Sequence, residues 1–202
     1  VECLDELADF AGIKAEIAAI TERAMRGELE FEPALRERVG KLKGLALDAL
    51  QRTYDERVRL NPGAATLVKT MAAHGARCVL VSGGFTFFTS RVADSVGFHA
   101  SRANVLLDDG ASLTGAVQEP VLGRAAKLEA LRSEATALGV TASDALAIGD
   151  GANDLDMIKA AGLGVAYRAK PLVAAEAVAK IDYMNLEAAL FFQGYRRAEF
   201  AA

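Results

Sequence analysis

Three short runs of the buried-strand kind, Arg77 to Val81, Ala145 to Ile148 and Leu163 to Ala166, alternate with segments whose apolar residues recur at helical spacing. No other feature of the chain narrows its fold as much. Strands that read as continuous apolar runs are buried on both faces, and strands separated by helices pair in parallel through right-handed crossovers. The pattern predicts an α/β fold with a Rossmann-like parallel sheet over residues 57–202. Between Asn104 and Val117 two further runs flank Asp108-Asp109-Gly110, which reads as a hairpin set into that pattern. In parallel sheets ligands gather outside the carboxyl ends of the strands, so the residues that follow each run are where chemistry is sought.

The first part of the chain is different. From Val1 to about Tyr54 the apolar positions Leu4, Leu7, Ala8 and Ala11, then Ile13, Ile17 and Ile20, follow helical spacing throughout. Gly12, Gly27 and Gly44 fall at plausible helix ends and divide the segment into about four short helices. Residues 1–56 are thus predicted as a small helical bundle, and Asn61-Pro62-Gly63 marks the turn into the α/β part.

Composition excludes several function classes. With 202 residues the chain can bury roughly 70% of its unfolded surface, and with 52% hydrophobic and 25% charged residues it is an ordered globular protein. A net charge of -4 provides no broad positive field, so nucleic acid is not an expected partner, whereas a local site can still hold a small anion. No apolar run is long enough for a membrane span and no signal-peptide pattern opens the chain. Cys3 and Cys78 lie far apart outside any CxxC or Cys/His cluster, which predicts free thiols and a cytoplasmic setting. His74 and His99 are the only histidines, too few for a His-rich zinc site or an ordinary Ser/His/Asp triad. A monomer or homodimer is expected.

The run ending at Val81 leads into Ser82-Gly83-Gly84, where a hydroxyl and backbone N–H groups meet with no bulky side chain in the way. Such a tripeptide can bind a phosphate, although by itself it is more often an ordinary glycine turn between strand and helix. A second run leads into Gly149-Asp150-Gly151-Ala152-Asn153-Asp154, which releases two carboxylates and an amide at a strand tip. Hard cations take oxygen ligands, and Mg²⁺ in particular takes one or two carboxylates together with phosphate oxygens and water. Helix capping by Asn153 or Asp154 is the plain alternative, but it leaves both glycines and the third polar group unexplained.

Gly-Asp-Gly-Ala-Asn-Asp after an apolar strand resembles the fourth motif of the haloacid dehalogenase superfamily, and Ser82 matches the second. Lys127, in Gly123-Arg124-Ala125-Ala126-Lys127, falls between them where that superfamily places its third-motif lysine. Within the superfamily the chain resembles the phosphoserine phosphatases over nearly its whole length. The likeness includes Glu2 to Ala8, Ala19 to Gly27, Phe31 to Val39, Val81 to Phe85 and Gly162 to Pro171. The resemblance implies a Mg²⁺-dependent phosphomonoester hydrolase acting on O-phosphoserine in serine biosynthesis. It makes residues 1–56 a cap domain, with Glu2 facing the substrate ammonium, Arg38 its carboxylate, and Met25 and Phe31 walling the pocket. It assigns Asp150 to the metal, and Ser82, the N–H of Gly83, Lys127 and Asn153 to the phosphate. Asp154 would orient Lys127 or metal-bound water.

The family's first motif, two aspartates separated by one residue, would stand upstream of Val1. The first of the pair would be the nucleophile that becomes an aspartyl-phosphate, and the second the general acid and base. The same stretch would be the first and central strand of the sheet. Val1 is not an initiator residue, so a preceding segment is expected. Two other readings stand beside this one: another small-metabolite phosphatase or phosphotransferase of the superfamily, and a non-catalytic phosphate-binding module.

Overall fold

The computed structural model describes residues 3–26 and 28–201. The expectations placed on Glu2 and on Gly27 therefore lie outside the described residues. Four helices, α1 (Cys3–Phe10), α2 (Lys14–Met25), α3 (Phe31–Gly40) and α4 (Asp48–Arg57), form the first part of the chain among the described residues. The α/β part follows with α5 (Ala64–Ala73), β1 (Val79–Phe85), α6 (Thr86–Val96) and β2 (Ala100–Asn104), then the hairpin β3 (Leu106–Asp108) and β4 (Leu113–Val117). It continues through α7 (Arg124–Ala137), β5 (Leu146–Gly149), α8 (Leu155–Ala160), β6 (Leu163–Tyr167), α9 (Pro171–Glu176), β7 (Ala179–Ile181) and α10 (Ala188–Phe192).

The chain divides into two compact units. The first joins residues 1–59 to 82–92 and 101–121. Leu7 of α1, Ile17 of α2, Val39 of α3, Leu50 of α4, Phe85 and Phe88 share one core there with Leu113 and Val117 of β4. The helical segment does not close on itself, because the link between α3 and α4 is stitched to the hairpin. Gly44 N–H donates to the Leu113 carbonyl (2.8 Å), Leu113 N–H to Leu45 (2.9 Å), and Leu47 N–H to Ala111 (3.0 Å). The hairpin turn is held by the Asp109 carboxylate, which accepts from the N–H groups of Ala111 and Ser112 and lies below the usual carboxyl range for that reason.

The second unit comprises residues 60–81, 93–100 and 122–202. Its sheet has the order β5-β6-β7, all parallel, with Leu146 opposite Leu163 and Tyr167 opposite Ile181. The central strand β6 is buried on both faces, as its unbroken apolar sequence requires. Val165, fully buried, packs with Leu67, Ala189 and Leu190, while Ala166 packs on the other face with Ile158 and Val173. Among the described residues β5 pairs on one side only, and its Leu146 and Ile148 are half-buried although apolar.

Two strands differ from the sequence expectation. β1 does not stop at Val81 but runs through Ser82-Gly83-Gly84 to Phe85, because the glycines stay extended and Phe85 is drawn into the first unit's core. β2 pairs with β1, and its sequence Ala-Ser-Arg-Ala-Asn carries no apolar run to reveal it. The parallel sheet depends on close backbone approaches that only glycine permits. A Cβ on Gly162 would collide with the Ser143 carbonyl oxygen, and one on Gly164 with the Ile158 carbonyl oxygen. Gly139, with φ +71° and open space around it, is a contrasting case. Gly164→Ala should cost about 2 kcal/mol or more through forced displacement of α8, against about 1 kcal/mol for Gly139→Ala, as read from urea midpoints at constant m.

Candidate active site

β5 ends at Gly149, and there the chain turns tightly around the side chain of Asp154. The fit leaves no room for a side chain at 149, since a Cβ would overlap Asp154 Cβ and Cγ. Asp150 and Gly151 then direct their N–H groups at Asp154 Oδ2, at 3.1 and 3.0 Å, and a short 3-10 turn over Ala152–Asp154 leads into α8. The other carboxylate oxygen, Oδ1, accepts from Lys127 Nζ at 2.5 Å. Lys127 arrives from the first turns of α7 and is 9% exposed, and Asp154 is 4% exposed. A buried ion pair of this kind persists only when its remaining polar atoms are satisfied, and Asp154 meets that condition with three donors. Lys127 does not. An ammonium has three donors, and among the described residues Asp154 alone engages it.

Asp150 stands at the strand tip with its backbone fixed on both sides. Its N–H is held by Asp154, and its carbonyl accepts from Lys170 N–H at 3.1 Å. Its own carboxylate is exposed and engages no partner among the described residues. Asn153 is half-buried beside Gly151, where a Cβ would come within 2.6 Å of Asn153 Oδ1. On the rim, Arg124 holds Asp156 through two hydrogen bonds of 2.7 and 2.6 Å, and the guanidinium keeps that carboxyl below the usual range. This second link between α7 and α8 was not anticipated from sequence. Its signal is that Arg124 and Asp156 lie three residues before Lys127 and two after Asp154.

In the first unit, Ser82 and Gly83 lie on β1. Ser82 Oγ accepts from Gly84 N–H at 3.0 Å, and the Gly83 carbonyl accepts from Asn104 Nδ2 at 2.9 Å. Arg38 lies on α3, half-buried, its Nε donating to the Ala34 carbonyl at 3.3 Å. Other charges on that helix are paired: Arg36 with Glu119 and Glu32, and Glu37 with Arg23. Arg38 has no acidic partner among the described residues. Phe31 opens α3 half-buried, and Met25 at the end of α2 is 73% exposed. The structure thus brings Lys127, Asp150, Asn153 and Asp154 together in the second unit and places Ser82, Gly83, Arg38, Phe31 and Met25 in the first.

The exposed carboxylate of Asp150 suits a hard divalent cation. One exposed carboxylate on a rigid backbone is what Mg²⁺ takes from a protein when phosphate and water complete its shell, and no cluster of three or more His, Cys, Asp or Glu residues occurs among the described residues.

The chain belongs to the haloacid dehalogenase-like hydrolase family, whose profile matches residues 4–159. Within it, the chain is similar to phosphoserine phosphatases. It is 46% identical over 192 residues to that of a Polaromonas species, covering 93% of this chain and 81% of the relative. It is 43% identical to that of Streptomyces coelicolor, covering all of this chain and 49% of that longer protein. Among solved structures, an unliganded probable phosphoserine phosphatase from Vibrio cholerae aligns with a TM-score of 0.87 at 40% identity, covering 94% of this chain and 58% of that one. A substrate-bound phosphoserine phosphatase aligns with a TM-score of 0.86 at 36% identity, covering 95% of this chain and 90% of that one. No helix among the described residues is long and apolar enough to cross a membrane.

Removing Asp154 would leave a buried ammonium and two backbone N–H groups without an acceptor. Asp154→Ala should therefore destabilise the fold by about 3–5 kcal/mol. Glu56→Ala, which breaks the exposed Arg52–Glu56 pair, should cost about 0–1 kcal/mol in the same urea titration.

Proposed function

We propose that this hydrolase converts O-phosphoserine to serine and inorganic phosphate, a step of serine biosynthesis, in a cytoplasmic setting. The observation that carries the reading is the loop at the tip of β5. There, among the described residues, a nearly buried ammonium keeps donors to spare and a rigidly mounted carboxylate has no partner. Spare donors on Lys127 suit an anion, and the free carboxylate of Asp150 suits a cation that accompanies the anion.

On this reading Ser82, the N–H of Gly83, Lys127 and Asn153 act on the phosphoryl oxygens. Their task is positioning and neutralising charge, which dominate phosphoryl transfer. Asp150 would hold Mg²⁺. When bound, the ion offsets charge on the phosphoryl group and the nucleophile. Asp154 holds the Lys127 ammonium in place. Arg38 would receive the substrate carboxylate, a role that suits an arginine without an acidic partner among the described residues, on a helix where its neighbours are paired. Glu2 would face the ammonium, and Met25 and Phe31 would line the amino-acid side of the pocket.

The nucleophile and the general acid and base would be aspartates upstream of Val1, on a strand that precedes the chain. The half-buried apolar face of β5 and its one-sided pairing support such a strand, since strands of parallel sheets are ordinarily covered and paired. The relatives' names support the substrate.

Asp150→Ala should abolish Mg²⁺-dependent release of phosphate from O-phosphoserine. It should leave the unfolding free energy from a urea titration within about 0.5 kcal/mol of native, because an exposed carboxylate with no partner among the described residues contributes little to stability. Retained metal-dependent turnover in this variant would overturn the assignment.

A further inference from the structure

We propose that Asn104 is a positioning residue for phosphate binding, which sets the orientation of the Ser82 hydroxyl through the Gly83–Gly84 peptide. The inference rests on the reading of Ser82 as a phosphate ligand. Asn104 closes β2 and is 2% exposed, a place where an apolar side chain would pack without the cost of burying an amide. Its Nδ2 donates to the Gly83 carbonyl at 2.9 Å. That carbonyl belongs to the same peptide unit as Gly84 N–H, which donates to Ser82 Oγ at 3.0 Å. A peptide unit is planar and turns as one body, so a hand on its oxygen also aims its N–H.

The clamp answers a need created by the glycines. Two consecutive glycines leave the peptide between them free to rotate, and neither carries a side chain to restrain it. A Cβ on Gly84 would lie 3.2 Å from Ser82 Oγ, so this position can hardly be stiffened by a larger residue. Restraint must then come from another strand, and Asn104 supplies it. With Ser82 Oγ occupied as an acceptor, its own O–H is the group left to donate, and a phosphoryl oxygen can only accept. Accepting one hydrogen bond also polarises the hydroxyl toward donating the next.

The test is a double-mutant cycle in the full-length protein, with inorganic phosphate as the probe and its dissociation constant read by calorimetry. Asn104→Ala should weaken phosphate binding about 3- to 10-fold when Ser82 is present, the range of one neutral hydrogen bond. In a Ser82→Ala background the same substitution should change nothing further. Asn104→Asp keeps the shape but replaces the donor with an acceptor, so it should lose as much as Asn104→Ala and serves if the alanine variant folds poorly. Equal losses with and without Ser82 would overturn the clamp while leaving Ser82 as a ligand. Native phosphate affinity in Ser82→Ala alone would overturn both that ligand and the clamp.

Discussion

The carboxylate of Asp154 is the point on which the loop at the end of β5 depends. One oxygen takes the Lys127 ammonium, and the other takes the N–H groups of Asp150 and Gly151. A buried ion pair seldom stabilises a protein more than well-packed apolar residues of the same volume would. Retaining one at 4% and 9% exposure, with ammonium donors that no other described residue engages, is therefore a poor way to build a core. It is a good way to hold a positive charge rigidly where water is scarce, because a local low dielectric strengthens whatever that charge next meets. The same carboxylate folds the loop that carries Asp150, so the Lys127 charge and the backbone that mounts the Asp150 carboxylate are fixed by one group.

That arrangement imposes requirements on the residues around it. β5 must bring its end against Asp154, which is why position 149 admits only glycine. α8 must start immediately after Asp154 and pack on β6, which is why Gly164 passes so close to the Ile158 carbonyl. α7 must present Lys127 from its first turns, and the Arg124–Asp156 pair ties that end of α7 to α8.

Much of this was legible in the sequence because it is written in local patterns. β5 and β6 show themselves as apolar runs, and the loop after β5 shows itself by glycine, aspartate and asparagine where a strand ends. Other parts are carried by contacts that no local pattern records. β2 reads Ala-Ser-Arg-Ala-Asn, so neither the strand nor the reach of Asn104 to the Gly83 carbonyl is visible beforehand. β7 is three residues long and offers no periodicity. The grouping of the hairpin with the first four helices depends on backbone bonds between residues 44–47 and 111–113, far apart in the chain. A division by residue number, at 56 and 57, has no means of showing that grouping.

The proposed reading of the substrate's amino-acid part by Arg38 is checked by kcat/KM of native protein and Arg38→Ala on two substrates. One is O-phosphoserine, and the other a small phosphomonoester with no carboxylate. A charge-assisted contact to a desolvated carboxylate is worth about 1.5–3 kcal/mol, so Arg38→Ala should lose about 10- to 150-fold on phosphoserine and far less on the second substrate. Equal losses on both would contradict the account and leave Arg38 with a structural role.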